Sequence, residues 1–317
     1  MQFTSVTDLP DVNALIREAL ELKSNPFAFQ HLGKNRTLGL VFLNPSLRTR
    51  LSTQIAAQNL GMNVVLINAD KDSWALEFQD GAVMDGATVE HIRDAAPVLG
   101  SYCDIIGVRC FPGLKSRETD DSEHIMKQFI QWTQRPYLSL ESATLHPLQS
   151  LADCITMTEH RPKHRPKVVL TWAPHIKPIP QAVANSFAEW TNRMEVDFVI
   201  THPEGYELNP RFTRGATLEY NQQKALEGAD FVYVKNWSSY TEYGKILSQD
   251  TSWMLTNQHL EHTNQAKVMH CLPVRRNVEL SDEILDGPHS LVQAQAANRV
   301  FAAQAVLKRM LENNSTK

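Results

Sequence analysis

Three short segments of this chain gather side chains able to hold an anion, polarise a carbonyl or orient an amine. The first is Asn44-Pro45-Ser46-Leu47-Arg48-Thr49-Arg50, which follows an apolar run and opens a helical pattern at Leu51, Ile55 and Leu60. Backbone N–H groups at a helix N-terminus lack intrahelical partners, and the helix dipole favours negative charge there. With Ser46, Arg48 and Thr49 adding side-chain donors, a phosphate suits the place; an ordinary N-cap serine beside solvated arginines gives the same pattern in isolation. The second segment is His146-Pro147-Leu148-Gln149. A proline in the first helical turn puts His146 at the N-cap region, where a neutral imidazole N–H can meet a carbonyl oxygen and the Gln149 amide an amide hydrogen. A lone histidine is more often structural. The third, His270-Cys271-Leu272-Pro273, closes a candidate strand, and open α/β sheets collect ligand-binding residues at strand ends. Buried, inert cysteine is the competing reading there. Arg109 ends another strand and Arg299 lies near the start of the last helical stretch; each alone reads as a surface charge.

These segments need elements to carry them, and the hydrophobic pattern supplies a βαβ rhythm. Apolar runs at Thr37 to Phe42, Asn63 to Asn68, Asp104 to Arg109 and Pro136 to Leu140 alternate with segments of helical period. After a basic stretch from Arg161 to Lys167 the rhythm resumes at Val168 to Trp172, Val196 to Thr201, Phe231 to Val234 and Lys267 to Cys271. The pattern predicts an α/β protein of two doubly wound parallel-sheet lobes. Leu145, Leu148, Leu151, Ile155 and Met157 suit a helix joining the two lobes, with the hinge near it. Val300, Ala303, Val306, Leu307 and Met310 share a face of the last helix, which is expected to pack back on a lobe. The polar region from Asn236 to Asp250 reads as a long loop able to cover a site.

Composition narrows the class. With 31 basic and 35 acidic residues the formal charge is -4, so general affinity for nucleic acid is not expected and any phosphate site must be local. The four cysteines form no CxxC pair and no secreted disulfide framework, which suggests reduced thiols. The absence of an apolar leader or an 18-residue apolar run leads us to expect a cytoplasmic protein. Neither a Walker motif nor GxGxxG is present, so a nucleotide-binding dehydrogenase gains no support.

Taken in order, Ser-x-Arg-Thr-Arg, an arginine ending the third strand, His-Pro-x-Gln, His-Cys-Leu-Pro and a late Asn-Arg resemble the aspartate/ornithine carbamoyltransferase family over nearly the whole chain. The resemblance implies a carbamoyl-phosphate-binding domain at residues 1–142, to which a C-terminal helix at 296–317 returns, and an acyl-ornithine-binding domain at 143–295. By the same resemblance Ser46, Leu47, Arg48, Thr49 and Arg109 hold the phosphate, while His146, Arg299 and Thr49 face the carbamoyl oxygen. Gln149 and the backbone carbonyl around Cys271 and Leu272 take the amide hydrogens. Arg109, His146, Cys271 and Arg299 are the implied catalytic residues, with Cys271 orienting or deprotonating the attacking amine. No metal or organic cofactor is implied. The family's homotrimer places the loop carrying Trp74 in a neighbour's active site, so Trp74 joins the carbamoyl-phosphate set.

Departures from ordinary ornithine enzymes sharpen the expectation. Those enzymes hold the amino-acid head with an asparagine seven residues before the His-Pro-x-Gln histidine and with the Asp of an Asp-x-x-x-Ser-Met-Gly run. Here the positions are Ser139 and Lys235. A free α-ammonium would meet a like charge at Lys235, whereas an acylated nitrogen is neutral and leaves a carboxylate for the lysine. The chain therefore resembles the N-acylornithine carbamoyltransferases, with Glu141, His175, Lys235, Arg275 and Leu272 lining the acyl-amino-acid pocket; an exposed lysine after a strand is the plainer alternative for Lys235. The body of the sequence resembles the N-succinylornithine branch, yet that branch has proline where this chain has Glu90, and glutamate marks the N-acetylornithine branch. The expectation is a succinyl-type scaffold whose Glu90 favours acetylornithine, in arginine biosynthesis. Ordinary ornithine or aspartate carbamoyltransferase, or a non-catalytic regulator that binds a phosphorylated metabolite, remain the alternatives.

Overall fold

The computed structural model describes residues 1–69 and 75–314. Two compact units emerge: Met1–Gly113, Glu118–Leu148 and the chain from Arg299 form the first, and Leu114–Arg117 with Gln149–Asn298 the second. The sequence reading divides the chain after residue 142 and before residue 296.

Strands of the first unit run in chain order β1 (Gln2–Phe3), β2 (Thr37–Phe42), β3 (Asn63–Asn68), β4 (Leu76–Glu77), β5 (Glu90–His91), β6 (Ile105–Arg109) and β7 (Tyr137–Glu141). Five make a parallel sheet of order β1-β7-β6-β2-β3, and β4 pairs with β5 in a small separate sheet. The residues of β2 after Thr37 and the whole of β6 are buried, the continuous apolar pattern of strands covered on both faces. The covering helices are α1 (Val12–Ser24), α2 (Leu47–Asn59), α3 (Ile92–Tyr102) and α4 (His124–Thr133). A Cβ on Gly100 of α3 would fall 2.2 Å from the Thr133 carbonyl oxygen of α4, so this close helix contact requires glycine. Chain order reverses between β2 and β6, which makes their carboxyl ends the place where a ligand is expected in such a sheet.

In the second unit, β8 (Lys167–Trp172), β9 (Asp197–Thr201), β10 (Thr217–Glu219), β11 (Phe231–Lys235) and β12 (Lys267–Met269) form a parallel sheet of order β10-β9-β8-β11-β12. Its core is drawn from Val169, Val232, Val234, Val268, Leu280 and Ile284 among others. The order reverses between β8 and β11. Helices α5 (Pro147–Glu159) and α6 (Ala182–Thr191) belong to this region, and α7 (Val292–Asn314) ends the described chain. As the sequence predicts, α7 packs back on a lobe: Val306, Leu307 and Met310 are fully buried, and Lys308 and Arg309 each reach Glu18 of α1 at 2.7 Å. The expected loop from Asn236 to Asp250 lacks regular structure, and its start is anchored. Trp237 is fully buried and donates its indole N–H to the Tyr206 carbonyl at 2.7 Å. Among the described residues, no helix is long and apolar enough to cross a membrane.

Candidate active site

In the first unit the loop leaving β2 delivers an anion-binding end. Asn44 Oδ1 accepts from the Phe111 N–H at 2.6 Å, tying this loop to the chain leaving β6. Ser46 caps α2 in extended conformation, its hydroxyl accepting from the Thr49 N–H at 3.3 Å. Leu47 is 68% exposed, so its contribution to an anion is its backbone N–H. Thr49 is buried, and its hydroxyl oxygen accepts from Arg299 Nη2 at 2.6 Å and from Arg109 Nη1 at 3.4 Å.

Two guanidinium groups thus converge on one hydroxyl, and both arginines are buried. The reading of each as a surface charge does not survive this placement. The counter-charge of Arg109 is Glu141, which accepts from it in a very short contact and lies 3.4 Å from His146 Nε2. A register shift between Val108 and Arg109 creates the pairing: Val108 sits opposite Ser139, Arg109 opposite Glu141, and Leu140 is passed over. The Arg109 guanidinium also lies 4.5 Å from the Phe111 ring centre. Burial drives the His146 pKa well below its ordinary value, and the charges of Arg299 and Arg109 push the same way. His146 is therefore a neutral donor near pH 7. Arg109 Nε and His146 Nδ1 are buried without a protein hydrogen-bond partner, polar capacity that a ligand can satisfy. The loop carrying His146 is itself held by Glu123, whose carboxylate accepts from Ser142 Oγ at 2.6 Å, Thr144 N at 2.8 Å and Ala143 N at 3.2 Å.

The second unit brings together a different set. On α5, Gln149 Nε2 donates to Asp153 Oδ1 at 2.8 Å, and the same oxygen accepts from Gln295 Nε2 at 2.7 Å. Gln295 Oε1 accepts from the His270 N–H at 2.9 Å, fixing the chain as it leaves β12. The turn beyond is built around His270: Nδ1 accepts from the Leu272 N–H at 2.9 Å, and Nε2 lies 3.5 Å from Glu279 Oε1. Leu272 adopts a left-handed φ of 54°, unfavourable for a leucine and held here by that hydrogen bond. Cys271, between these anchors, is partly exposed.

Lys235 ends β11 and is only 7% exposed, which removes the reading of a surface lysine. Burial raises the Glu279 pKa, but His270, the charge of Lys235 and the Arg275 N–H outweigh it and hold the carboxyl at about 2. Arg275 Nε donates to His175 Nε2 at 3.1 Å, while His175 Nδ1 donates to the Lys177 carbonyl at 2.9 Å. Burial, with Lys235 and Arg275, keeps the His175 pKa low. Two cations, a neutral imidazole and one fully engaged carboxylate make a patch that favours a carboxylate ligand.

The structure therefore groups Thr49, Arg109, Glu141, His146 and Arg299 in the first unit, with Ser46, Leu47 and Arg48 on the same helix end. In the second unit it groups Lys235, His175 and Arg275, and separately ties Gln149 to the strand end that leads into Cys271 and Leu272. Glu141, expected among the acyl-pocket residues, sits with the arginines instead. Glu90 lies in β5, paired with Leu76 and partly buried. Trp74 is outside the described residues. Sequence reasoning missed Glu123, Asp153, Glu279 and Gln295. Only Asp153 left a signal, its i+4 spacing from Gln149 on a helix. Among the described residues, no group of His, Cys, Asp and Glu is arranged to hold a metal ion.

Known proteins match the chain in two stretches. Residues 2–159 match the aspartate/ornithine carbamoyltransferase carbamoyl-P binding domain, and residues 180–310 match the Asp/Orn binding domain of the same family. An N-succinylornithine carbamoyltransferase of Bacteroides fragilis is 53% identical over 98% of this chain and 99% of its own. An N-acetylornithine carbamoyltransferase of Xanthomonas campestris is 35% identical over 94% of this chain and 93% of its own. The crystal structure of an acetylornithine transcarbamylase complexed with acetylcitrulline superposes with a TM-score of 0.90 at 33% identity, covering 98% of this chain and 99% of that one.

Proposed function

Since the chain belongs to the aspartate/ornithine carbamoyltransferase family, we propose that it moves the carbamoyl group of carbamoyl phosphate to the side-chain amine of an N-acyl-L-ornithine, releasing N-acylcitrulline and phosphate. The observation that carries the choice of acceptor is Lys235, a buried cation at a strand end beside His175, with Arg275 close by. A free α-ammonium brought against Lys235 and Arg275 would be repelled in a poorly solvated place, whereas an acylated nitrogen brings no charge and its neighbouring carboxylate is attracted. The relatives point the same way, both acting by name on ornithines with a masked nitrogen.

Each residue has a stated task in this reading. The α2 end, through Ser46, Leu47, Arg48 and Thr49, holds the phosphate with Arg109. His146, Arg299 and Thr49 donate to the carbamoyl oxygen as the neutral amine attacks and negative charge grows there. One such donor is typically worth about 3 kcal/mol in the transition state. Gln149 and the carbonyl near Cys271 and Leu272 accept the amide hydrogens, and Cys271 orients the attacking amine. The leaving phosphate accepts a proton, so no further base is required. Lys235, His175 and Arg275 hold the acyl-amino-acid head, with Leu272 against it. Glu90 is proposed to select acetyl over succinyl by repelling a second carboxylate.

The finer setting is also proposed: a cytoplasmic homotrimer in arginine biosynthesis whose Trp74 loop serves a neighbouring copy. Leu47, Leu51 and Ile55 lie on one stripe of α2, the last two 47% and 43% exposed, an apolar face suited to association. A panel of carbamoyl phosphate with free, acetylated and succinylated ornithine tests the whole reading. Turnover of an acylated ornithine well above free ornithine is expected. Best turnover of free ornithine would favour an ordinary ornithine enzyme, and no turnover of any acceptor would favour a regulator.

A further inference from the structure

Glu123 stands at the start of α4 with a left-handed backbone, φ 55° and ψ 37°, a conformation that a Cβ disfavours. A residue at such a helix start ordinarily accepts from the first turn of its own helix through a short side chain. Glu123 makes no such bond. Its N–H donates to the Asp120 carbonyl at 3.1 Å and its carbonyl accepts from the Lys127 N–H at 2.9 Å, so the backbone is fixed on both sides. The carboxylate is directed instead into the turn that follows β7. One oxygen accepts from Ser142 Oγ at 2.6 Å, from the Thr144 N–H at 2.8 Å and from Thr144 Oγ1; the other accepts from the Ala143 N–H at 3.2 Å. Ser142 closes the turn, its N–H donating to the Leu145 carbonyl at 2.8 Å and its hydroxyl oxygen accepting from the Leu145 N–H at 3.2 Å. His146 is the next residue. A pocket of about 490 Å³ has Glu123, His124, Phe111 and Ala143 in its wall, so solvent could serve the Ala143 N–H and its neighbours. The strained, uncapped glutamate is therefore not required to satisfy these donors; what it adds is a single geometry for the turn.

We propose that Glu123 is a positioning residue: by locking the turn at 142–145 it sets where the His146 imidazole stands beside Arg109, Glu141 and Arg299, and so sets the rate of carbamoyl transfer. The inference rests on the proposed task of His146 as a donor to the carbamoyl oxygen, and adds a residue that acts on that donor through the backbone. The ring needs such help because its own polar atoms hold it weakly. Nε2 lies 3.4 Å from Glu141 Oε2, and Nδ1 is buried without a protein hydrogen-bond partner. Its placement therefore follows its backbone. Pro147 restricts that backbone from one side, and the turn held by Glu123 restricts it from the other. A catalytic group displaced by about 1 Å loses on the order of 100-fold in rate, so a loosened turn should cost turnover even where the fold persists.

The test is a double-mutant cycle between Glu123→Ala and His146→Ala, read in kcat and in carbamoyl phosphate KM with an N-acylornithine as acceptor. Glu123→Ala is expected to lower kcat at least about tenfold, and no further than His146→Ala does, while KM moves less than about threefold. In the His146→Ala background the same substitution should change kcat less than about twofold. Glu123→Gln keeps an oxygen for the three donors gathered on one carboxylate oxygen, and should stay within about fivefold of the wild-type kcat. Glu123→Gly removes the carboxylate but accepts the left-handed backbone, so its kcat should be as low as that of the alanine variant while its Tm is no lower; it replaces the alanine variant in the cycle if that one does not fold. An unchanged kcat, an equal fall in both backgrounds, or a Gln variant as slow as the glycine variant would overturn the inference. A wild-type rate in His146→Ala would instead overturn the task proposed for that histidine, and an absence of carbamoyl transfer in the wild type would overturn the proposed function, so the failures are distinct.

Discussion

Replacing Glu141 by Gln isolates the electrostatics of the anion site. Glu141 is the carboxylate in contact with Arg109, and Arg299 shares the Thr49 hydroxyl with that arginine. Removing one partner of a buried pair while leaving the other charged typically destabilises by about 3–5 kcal/mol; the retained amide oxygen keeps a hydrogen bond, so a loss of about 3 kcal/mol is expected. For a unit of this size that is a fall of about 6–12 °C in Tm. Phosphate should reverse it. Glu141 competes with a bound anion for Arg109, and at about 4 Å in a medium of effective dielectric about 20 such an interaction is on the order of 4 kcal/mol before desolvation. Without that competitor inorganic phosphate should bind the variant at least about tenfold more tightly, and saturating phosphate should restore most of the lost Tm. Thermal melts across a phosphate titration give both quantities. A variant whose Tm falls equally with and without phosphate, and whose phosphate affinity is unchanged, would refute the idea that Glu141 and the substrate compete for one guanidinium.

Other expectations follow from the same geometry. Arg299→Met should lower kcat by about 100-fold or more with a smaller change in carbamoyl phosphate KM, since its donor acts on charge that grows during reaction; steady-state kinetics decide. Lys235→Met should raise KM for the N-acylornithine at least about tenfold while leaving carbamoyl phosphate KM nearly unchanged. Glu279 has its carboxyl held at about 2 against an ordinary 4.5, so it stabilises the fold above pH 4.5 and loses that contribution as pH falls toward 2. The difference is worth about 3 kcal/mol, and Glu279→Gln should flatten the acid-unfolding curve over that window.

Much of the architecture is written in patterns that one sequence displays. Buried parallel strands such as β2 and β6 are continuous apolar runs, and the Ser46 helix end follows one of them at the point where strand order reverses. Lys235 was legible by a different route, as a charge standing where a carboxylate is expected in the resembling enzymes. What stayed hidden are partners defined by tertiary approach. Glu123 holds the His146 loop from the turn just ahead of α4, more than twenty positions before that histidine, and Gln295 reaches Asp153 from the far end of the chain. Neither periodicity nor local motif encodes such pairs. Glu141 shows the same limit: its position at a strand end was plain, but its commitment to Arg109 depends on a register shift with no composition signal.

That shift between β6 and β7 also bears on how the chain can change over time. Were the two strands in simple register, Arg109 would stand opposite Leu140, and the guanidinium would face an isobutyl group in place of a carboxylate. Substitutions along these strands alter individual neighbours, but losing or gaining one codon would rotate every later side chain to the opposite face. Length at this spot should therefore be more strictly preserved in descendants than residue identity, and surviving indels should cluster in the connecting turns.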